Sequence, residues 1–290
     1  MAVLHSSILL FSFSSVFGKW LTLPPTIIVF GRTFFAALAL AIFIVLIKRQ
    51  SLKVSREIFI ALSLIGVILA VHWVTFFRSV QVSNVPIAVV TAATFPLFVS
   101  LLEPIFLKHP FRKESLVQAV FTLTGVALVL PLQQIDSSII EGIVWGTFSA
   151  FLFAILAILN SKYINIVSAK HLAFYQNLSA SIVLLPFAIF LDFDITLTQV
   201  ALLLLLGVIC TAFAHTLYNM AFIRLKASTI SIAVSLEPIH GITAAYLFLN
   251  QQLTIMMCVG AILVIVTNIW AAKAAKSYDV TTNENPVAAK

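Results

Sequence analysis

The residues best suited to chemistry in this chain stand inside stretches that are otherwise apolar. The sharpest group is Glu237, Pro238 and His240, within SLEPIHGITAAYLFL. In a helix, residues three apart lie on one face, so Glu237 and His240 are predicted to point the same way. Pro238 is predicted to kink that helix and to free a backbone carbonyl beside the carboxylate. We expect Glu237 either to bind a substrate cation or carry a proton, or to tether a neighbouring helix.

A second group combines histidines with aromatic side chains. His72, Trp73 and Phe76 come from one apolar stretch, and His215 and Tyr218 come from another. Aromatic walls with a few hydrogen-bonding groups are typical of a pocket for a small organic molecule. The alternative for each histidine is a hydrogen bond from helix to helix, and both interpretations stay open.

Three cations also fall within or at the ends of apolar stretches: Lys19, Arg32 and Arg78. Lys19 and Arg78 lie where long side chains can reach a membrane surface. Arg32 lies deeper than a boundary residue needs to be, so it is predicted to attract a substrate carboxylate or to pair with an acidic neighbour. Charge pairing or coupling is therefore assigned to Glu237, Arg32 and Lys19.

Motifs of catalysis and of metal binding are missing from the sequence. Neither HExxH nor GxSxG occurs, and the histidines lack the spacing of metal ligands. No basic stripe alternates with aromatic residues outside the apolar stretches, which argues against nucleic acid as a partner. We predict that the chain is not an enzyme and needs no metal or cofactor.

Composition indicates what surrounds these residues. Of 290 residues, 61% are hydrophobic and only 9% are charged, with a mean hydropathy of +1.12. A soluble protein of this size needs far more charged side chains to cover its surface. The sequence therefore predicts an all-α integral membrane protein, because the continuous apolar runs lack the alternation of barrel strands.

Reading between the polar breaks predicts ten transmembrane helices. They are placed at 3–21, 26–47, 58–78, 85–107, 115–132, 139–160, 170–191, 200–222, 227–249 and 254–272. Both termini are predicted to be cytoplasmic, since this orientation puts 14 of the 17 lysines and arginines on the inner side. The expected location is the inner (plasma) membrane, crossed many times.

The two halves of the chain match each other at a spacing of 142 residues, without gaps across five spans. Pro96 then falls on Pro238, and Trp73 on His215. Five spans are an odd number, so the second half must enter the membrane in the opposite orientation. We predict one five-helix repeat over 1–134, a second, inverted repeat over 135–276 and a disordered cytoplasmic tail over 277–290. Inverted repeats of this kind are typical of secondary transporters.

Three segments resemble the EamA family of the drug/metabolite transporter superfamily: FGKWLTLPPTIIVFGRTFFAALAL, HWVTFFRSVQVSNVPIAVVTAATFPLFVSLLEPIF and SLEPIHGITAAYLFLNQQLT. The resemblance covers about residues 7–272. It implies a central cavity built largely by spans 3, 4, 8 and 9 with contributions from spans 1, 2, 6 and 7, and with spans 5 and 10 at the periphery. The cavity residues it implies are His72, Trp73, Phe76, Thr94, His215, Tyr218, Glu237 and His240. Where the family usually ends spans 4 and 9 with an acidic turn, this chain has His109 and Gln251.

The expected function is that of a secondary transporter. The resemblance implies a transporter, frequently an exporter, of amino acids or related small metabolites. It would work by alternating access, and Glu237 permits proton coupling. Three alternatives stay open: a passive facilitator, a carrier of phosphorylated or nucleotide-linked metabolites, and a membrane scaffold that transports nothing. The expected partners are a small metabolite, the lipid bilayer and protons, and a homodimer is left open.

Overall fold

The computed structural model describes residues 2–107, 114–129, 136–225 and 227–284, and within these ranges every regular element is helical. The α-helices are α1 (Ala2–Trp20), α2 (Pro25–Ile42), α3 (Arg56–Val82), α4 (Val85–Ala92), α5 (Phe95–Leu107), α6 (Glu114–Val129), α7 (Ser137–Tyr163), α8 (Ala169–Phe190), α9 (Leu197–Gly207), α10 (Ala214–Ala221), α11 (Ala227–Val234), α12 (Glu237–Leu249) and α13 (Ile255–Glu284). Two π-helical segments, Phe43–Ile47 and Val208–Phe213, extend α2 and join α9 to α10.

Polar residues begin several of these helices. Ser55, Asn84 and Asp136 accept hydrogen bonds from backbone N–H groups in the first turns of α3, α4 and α7. Thr196 and Gln199 form a reciprocal capping box at the start of α9. Each cap satisfies N–H groups that a helix leaves unpaired at its first turn, so the short polar breaks between apolar runs set the helix boundaries.

Seven helical segments in the described ranges are long and apolar enough to cross a membrane. They correspond to predicted spans 1–4 and 6–8. Spans 5 and 10 correspond to the shorter apolar stretches Val117–Leu128 of α6 and Ile255–Trp270 of α13. Span 9 is divided between α11 and α12. The integral membrane character is thus supported, whereas the count of ten and the orientation of the termini stay predictions.

Two helix interruptions occur at equivalent places in the two halves. Ala93 and Thr94 separate α4 from α5, and Ser235 and Leu236 separate α11 from α12. These positions differ by the same 142 residues that align the halves. Pro238 does not kink a continuous helix as predicted: it occupies the first turn of α12, where a missing N–H costs nothing. The break makes Glu237 the first residue of a new helix, α12.

The helices pack so that α3 and α7 contact each other, as do α2 and α8, and α1 with α10 and α12. Helices α6 and α13 pair with each other. Large apolar side chains cover the outside, with Phe190 82% and Leu197 85% exposed. An apolar exterior around a core that includes buried polar groups suits a lipid solvent.

The boundary predicted between the repeats, at 134–135, lies outside the described residues. Helix α13 continues to Glu284, into the segment 277–290 that was expected to be a disordered tail, and residues 285–290 are not described. The division of the chain into these units stays a prediction.

A central cavity at the junction of the two halves

A cavity of about 40 Å³ lies where the two interrupted helices approach α1, α3 and α10. Most of its lining is aromatic or aliphatic, and the polar groups are few. The lining residues are Phe11, Ser14, Arg32, Leu69, His72, Trp73, Phe76, Ala92, Ala93, Phe95, Phe153, His215, Val234 and Glu237.

The lining is pseudo-symmetric. Eight of its residues form four pairs that are each 142 positions apart: Phe11 with Phe153, Trp73 with His215, Ala92 with Val234, and Phe95 with Glu237. This spacing is the one that aligns the two halves of the sequence. Equivalent positions of the two halves therefore meet in one cavity, as expected for a site between repeats.

Arg32 is the most deeply buried charge in the cavity wall, with only 1% of its surface exposed. Its Nε donates to Thr211 Oγ1 over 3.0 Å, and its guanidinium carbon lies 3.9 Å from the ring centre of Trp73. Nη2 has no hydrogen-bond partner in the described part of the chain. A cation–π contact and one hydrogen bond thus hold the guanidinium in place, while part of its donor capacity is unused.

Glu237 is the first residue of α12 and lines the same cavity. The positive end of the helix dipole favours a carboxylate at this place. No ion pair within 4.0 Å joins it to Arg32 or to any other residue that the structure describes. Arg32 and Glu237 therefore do not form the ion pair that was one expectation for Arg32, and Arg32 does not provide the tether expected for Glu237.

His72 is held from one side of the cavity by α7. Its Nδ1 lies 2.8 Å from Ser149 Oγ and 2.9 Å from the Ser149 carbonyl oxygen, and its ring stacks on Phe153 at 4.8 Å. His72 therefore makes the helix-to-helix hydrogen bond that was one of its two interpretations, and it lines the cavity as well. The two interpretations are compatible because the bonds to Ser149 involve only Nδ1 of the ring.

His215 lines the cavity, and buried amides of the second half lie on elements close to it. Asn177 Nδ2 lies 3.4 Å from His215 Nδ1. Nearby, Asn160 donates to Asn219 over 3.1 Å and accepts from Gln176 over 2.6 Å. The positions 142 residues earlier than Asn160, Gln176 and Asn219 carry glycine or phenylalanine, so this polar network belongs to one half only.

Four predicted residues do not line the cavity. Thr94 donates to the Thr91 carbonyl within the helix break, and Tyr218 lies behind Phe153, with the ring centres 5.6 Å apart. His240 stands one turn beyond Glu237, about 4.5 Å farther along α12, so a shared face does not suffice to reach the cavity. Lys19 binds the carbonyls of Gln81 and Ser83 at the end of α3, over 3.1 and 2.9 Å.

Several important residues were missed by the sequence reasoning. Phe11, Phe95 and Phe153 form much of the aromatic lining, and the spacing of 142 relates each to another lining residue. Ser149 and Thr211, which fix His72 and Arg32, carry no comparable sequence signal. Small hydroxyl residues are common in apolar helices, where they also bond to their own backbone, so their partners emerge only from packing.

The sequence departs from the family's acidic turns at the ends of predicted spans 4 and 9. His109 lies outside the described residues. At the second place, Asn250 ends α12 in the left-handed conformation, with φ of 51°, and Gln251 N–H donates to the Ala245 carbonyl. Asparagine tolerates this conformation well. Among the described residues, no group of three or more His, Cys, Asp or Glu side chains is arranged to hold a metal.

Comparison with known proteins agrees with this architecture. The sequence pattern of the EamA-like transporter family matches residues 2–130 and 140–271, that is, once in each half. One solved crystal structure aligns with a TM-score of 0.71 at 14% identity, covering 96% of this chain and 97% of that one. At this identity the likeness shows the fold alone.

Relatives with similar sequences are named as transporters. An uncharacterized transporter of Bacillus subtilis (strain 168) is 24% identical over 89% of this chain and 84% of its own length. An S-adenosylmethionine uptake transporter of Rickettsia conorii is 26% identical, with coverage of 84% and 81%. One from Rickettsia bellii is 26% identical, with coverage of 77% and 75%. These names give no support to export of amino acids.

Proposed function

The chain belongs to the EamA-like transporter family, and we propose that it is a secondary transporter that carries a small, charged organic metabolite by alternating access. The observation that carries the proposal is the cavity itself. It lies between equivalent residues of both halves, at two helix breaks, and it takes Arg32 from the first half and Glu237 from the second. A ligand that engages both charges would bind the two halves at once.

The topology that this mechanism requires is part of the proposal. Ten spans in two inverted repeats, with both termini in the cytoplasm, would let the halves rock about a site near the middle of the inner membrane. The charge distribution of the loops and the double family match support this arrangement. A buried carboxylate at the site is also consistent with proton coupling.

S-adenosylmethionine is the first substrate to test, and uptake the first direction. The relatives that carry this name extend over most of the chain. The compound has a carboxylate and two cationic groups, which suit Arg32 and Glu237, and an adenine ring, which suits the aromatic walls. Phosphorylated metabolites fit less well, because Arg32 is the one permanent cation among the described lining residues.

Flux into proteoliposomes tests this function. Vesicles that contain the purified full chain and unlabelled S-adenosylmethionine are exposed to the labelled compound outside, so that exchange is detected in either direction. We expect saturable accumulation, and a loss of at least about ten-fold for Glu237→Gln, because the amide lacks the charge that attracts a cationic group. Repeating the assay with an imposed pH gradient tests proton coupling.

Glu141→Gln is the matched control. Glu141 has the same side chain on α7, but it forms an exposed ion pair with Arg78 at 2.8 Å and does not line the cavity. Its substitution should leave the flux unchanged. Equal flux for Glu237→Gln and the wild type would contradict the role of Glu237, and flux no higher than in empty vesicles would count against this substrate.

A further inference from the structure

Arg32 has a binding surface that the protein itself does not fill. One face of its guanidinium lies on Trp73, and Nε is bound to Thr211. Nη2 has no partner in the described part of the chain, although the side chain is almost wholly buried. Burying a charged donor without a partner is unfavourable, so a site of this kind is completed by a ligand that can accept hydrogen bonds.

Thr211 fixes the orientation of this surface. It lies in the π-helical segment Val208–Phe213, and its hydroxyl donates to the Leu206 carbonyl over 2.8 Å, which leaves its oxygen to accept from Arg32. Short π-helical segments occur frequently at functional sites. With Nε used by Thr211 and a face used by Trp73, Nη2 is the buried guanidinium nitrogen that is left for an anion.

The cavity restricts which anion is accepted. Glu237 lines the same space and forms no ion pair within the described residues, so a group with two negative charges would be repelled. A carboxylate carries one charge, and its two oxygens match two parallel N–H donors of a guanidinium. A cationic group on the same molecule would satisfy Glu237.

We propose that Arg32 forms a carboxylate subsite, positioned by Thr211 and Trp73, and that the substrate is a zwitterionic metabolite whose cationic group binds Glu237. The inference deepens the proposed function and rests on it. Arg32 belongs to the first half and Glu237 to the second, and the position 142 residues from each carries phenylalanine. A zwitterion therefore binds in one direction only, with its carboxylate on the first half.

The test compares pairs of compounds that differ only in the carboxylate. S-adenosylmethionine, phenylalanine and methionine are each paired with their decarboxylated amines, and dissociation constants are measured for the full chain in detergent by calorimetry. We expect at least one acid to bind, and to bind about ten-fold or more tightly than its amine, because a bidentate charged contact is lost with the carboxylate.

Substitutions of Thr211 test whether this residue positions the guanidinium of Arg32. Thr211→Val keeps the shape of the side chain but removes the acceptor for Arg32 Nε. We expect it to weaken binding of the acid about ten-fold while the dissociation constant of the amine changes less than about two-fold. Thr211→Ser keeps the hydroxyl and should restore the preference for the acid, whereas a general packing defect would affect acid and amine equally.

Each result decides the proposal. A clear acid preference that Thr211→Val removes and Thr211→Ser restores supports the subsite. Amines that bind as tightly as their acids, or no binding by any of the three acids, would overturn it. Equal weakening of acid and amine by Thr211→Val would overturn the positioning role. Binding in detergent requires no transport. A preference for the acid together with no flux into proteoliposomes would therefore support the subsite and contradict the proposed transport.

Discussion

At the scale of single residues, the cavity shows how a charge is kept in an apolar environment. Trp73 and Thr211 hold Arg32, Ser149 holds His72, and the start of α12 favours Glu237. Arg32 keeps one donor, Nη2, without a partner in the described part of the chain. A structural ion pair would use such a donor within the protein, as Arg78 and Glu141 do at the surface.

Replacement of Arg32 distinguishes function from structure. Arg32→Met keeps much of the volume and removes a buried, unpaired charge, and Thr211 retains its bond to the Leu206 carbonyl, so no hydroxyl is orphaned. We expect the free energy of unfolding to be unchanged or to rise by about 1–4 kcal/mol, as for other buried charges replaced by apolar groups, while ligand binding is lost. Thermal unfolding in detergent measures the first effect.

Arg78→Met serves as the control for that experiment. It breaks an exposed ion pair, which contributes about 0–1 kcal/mol, and it should leave ligand binding intact. If Arg32→Met instead lowered the free energy of unfolding by several kcal/mol, Arg32 would have a structural role, and its unused donors would need another explanation.

At the scale of helices, close packing positions the interrupted helix α4–α5. Gly142 and Gly146 of α7 face Ser83, Ser79 and Thr91, so the small-residue pair on α7 makes contacts within the chain. A Cβ atom at Gly146 would lie 2.0 Å from Thr91 Oγ1 and 2.9 Å from Thr91 Cβ. Glycine is therefore required here for the approach of the two backbones.

We expect Gly146→Ala to lower the free energy of unfolding by about 1–3 kcal/mol, the usual cost of overpacking. Thr91→Ala removes the nearest atom, so the double variant should recover part of this loss, and a double-mutant cycle of thermal unfolding measures the coupling. Val144→Ala on the same helix is the control, since Val144 is 60% exposed. Additive effects of Gly146→Ala and Thr91→Ala would show that this contact is not the cause.

At the scale of the whole molecule, the orientation in the membrane determines from which side the cavity is reached. In a variant without Cys210 and Cys258, single cysteines are introduced at Ser51 and Asp194, both exposed and both in loops. The predicted topology places Ser51 in the cytoplasm and Asp194 outside. A thiol reagent that does not cross membranes should label Asp194→Cys in intact cells and Ser51→Cys only after permeabilisation.

Labelling of the two loop cysteines also tests the number of spans between Ser51 and Asp194. Five predicted spans separate Ser51 from Asp194, and an odd number places them on opposite sides. Labelling of both positions in intact cells would contradict the predicted arrangement, whereas the reverse pattern would retain the odd number and invert the molecule.

The sequence by itself determined the helical membrane class, the repeat and the candidate charges, because these follow from local quantities: apolar run length, residue spacing and the rarity of charge in such runs. It also identified His72, Trp73, Phe76, His215, Arg32 and Glu237, all of which line the cavity. Only the tertiary structure decided that Thr94, Tyr218, His240 and Lys19 lie elsewhere, and that Ser149 and Thr211 fix the polar groups. Those assignments depend on distances between helices that are far apart in the chain. Helical periodicity predicts which face of a helix a residue lies on, but it predicts neither the depth of that residue in the bundle nor the helix that packs against it.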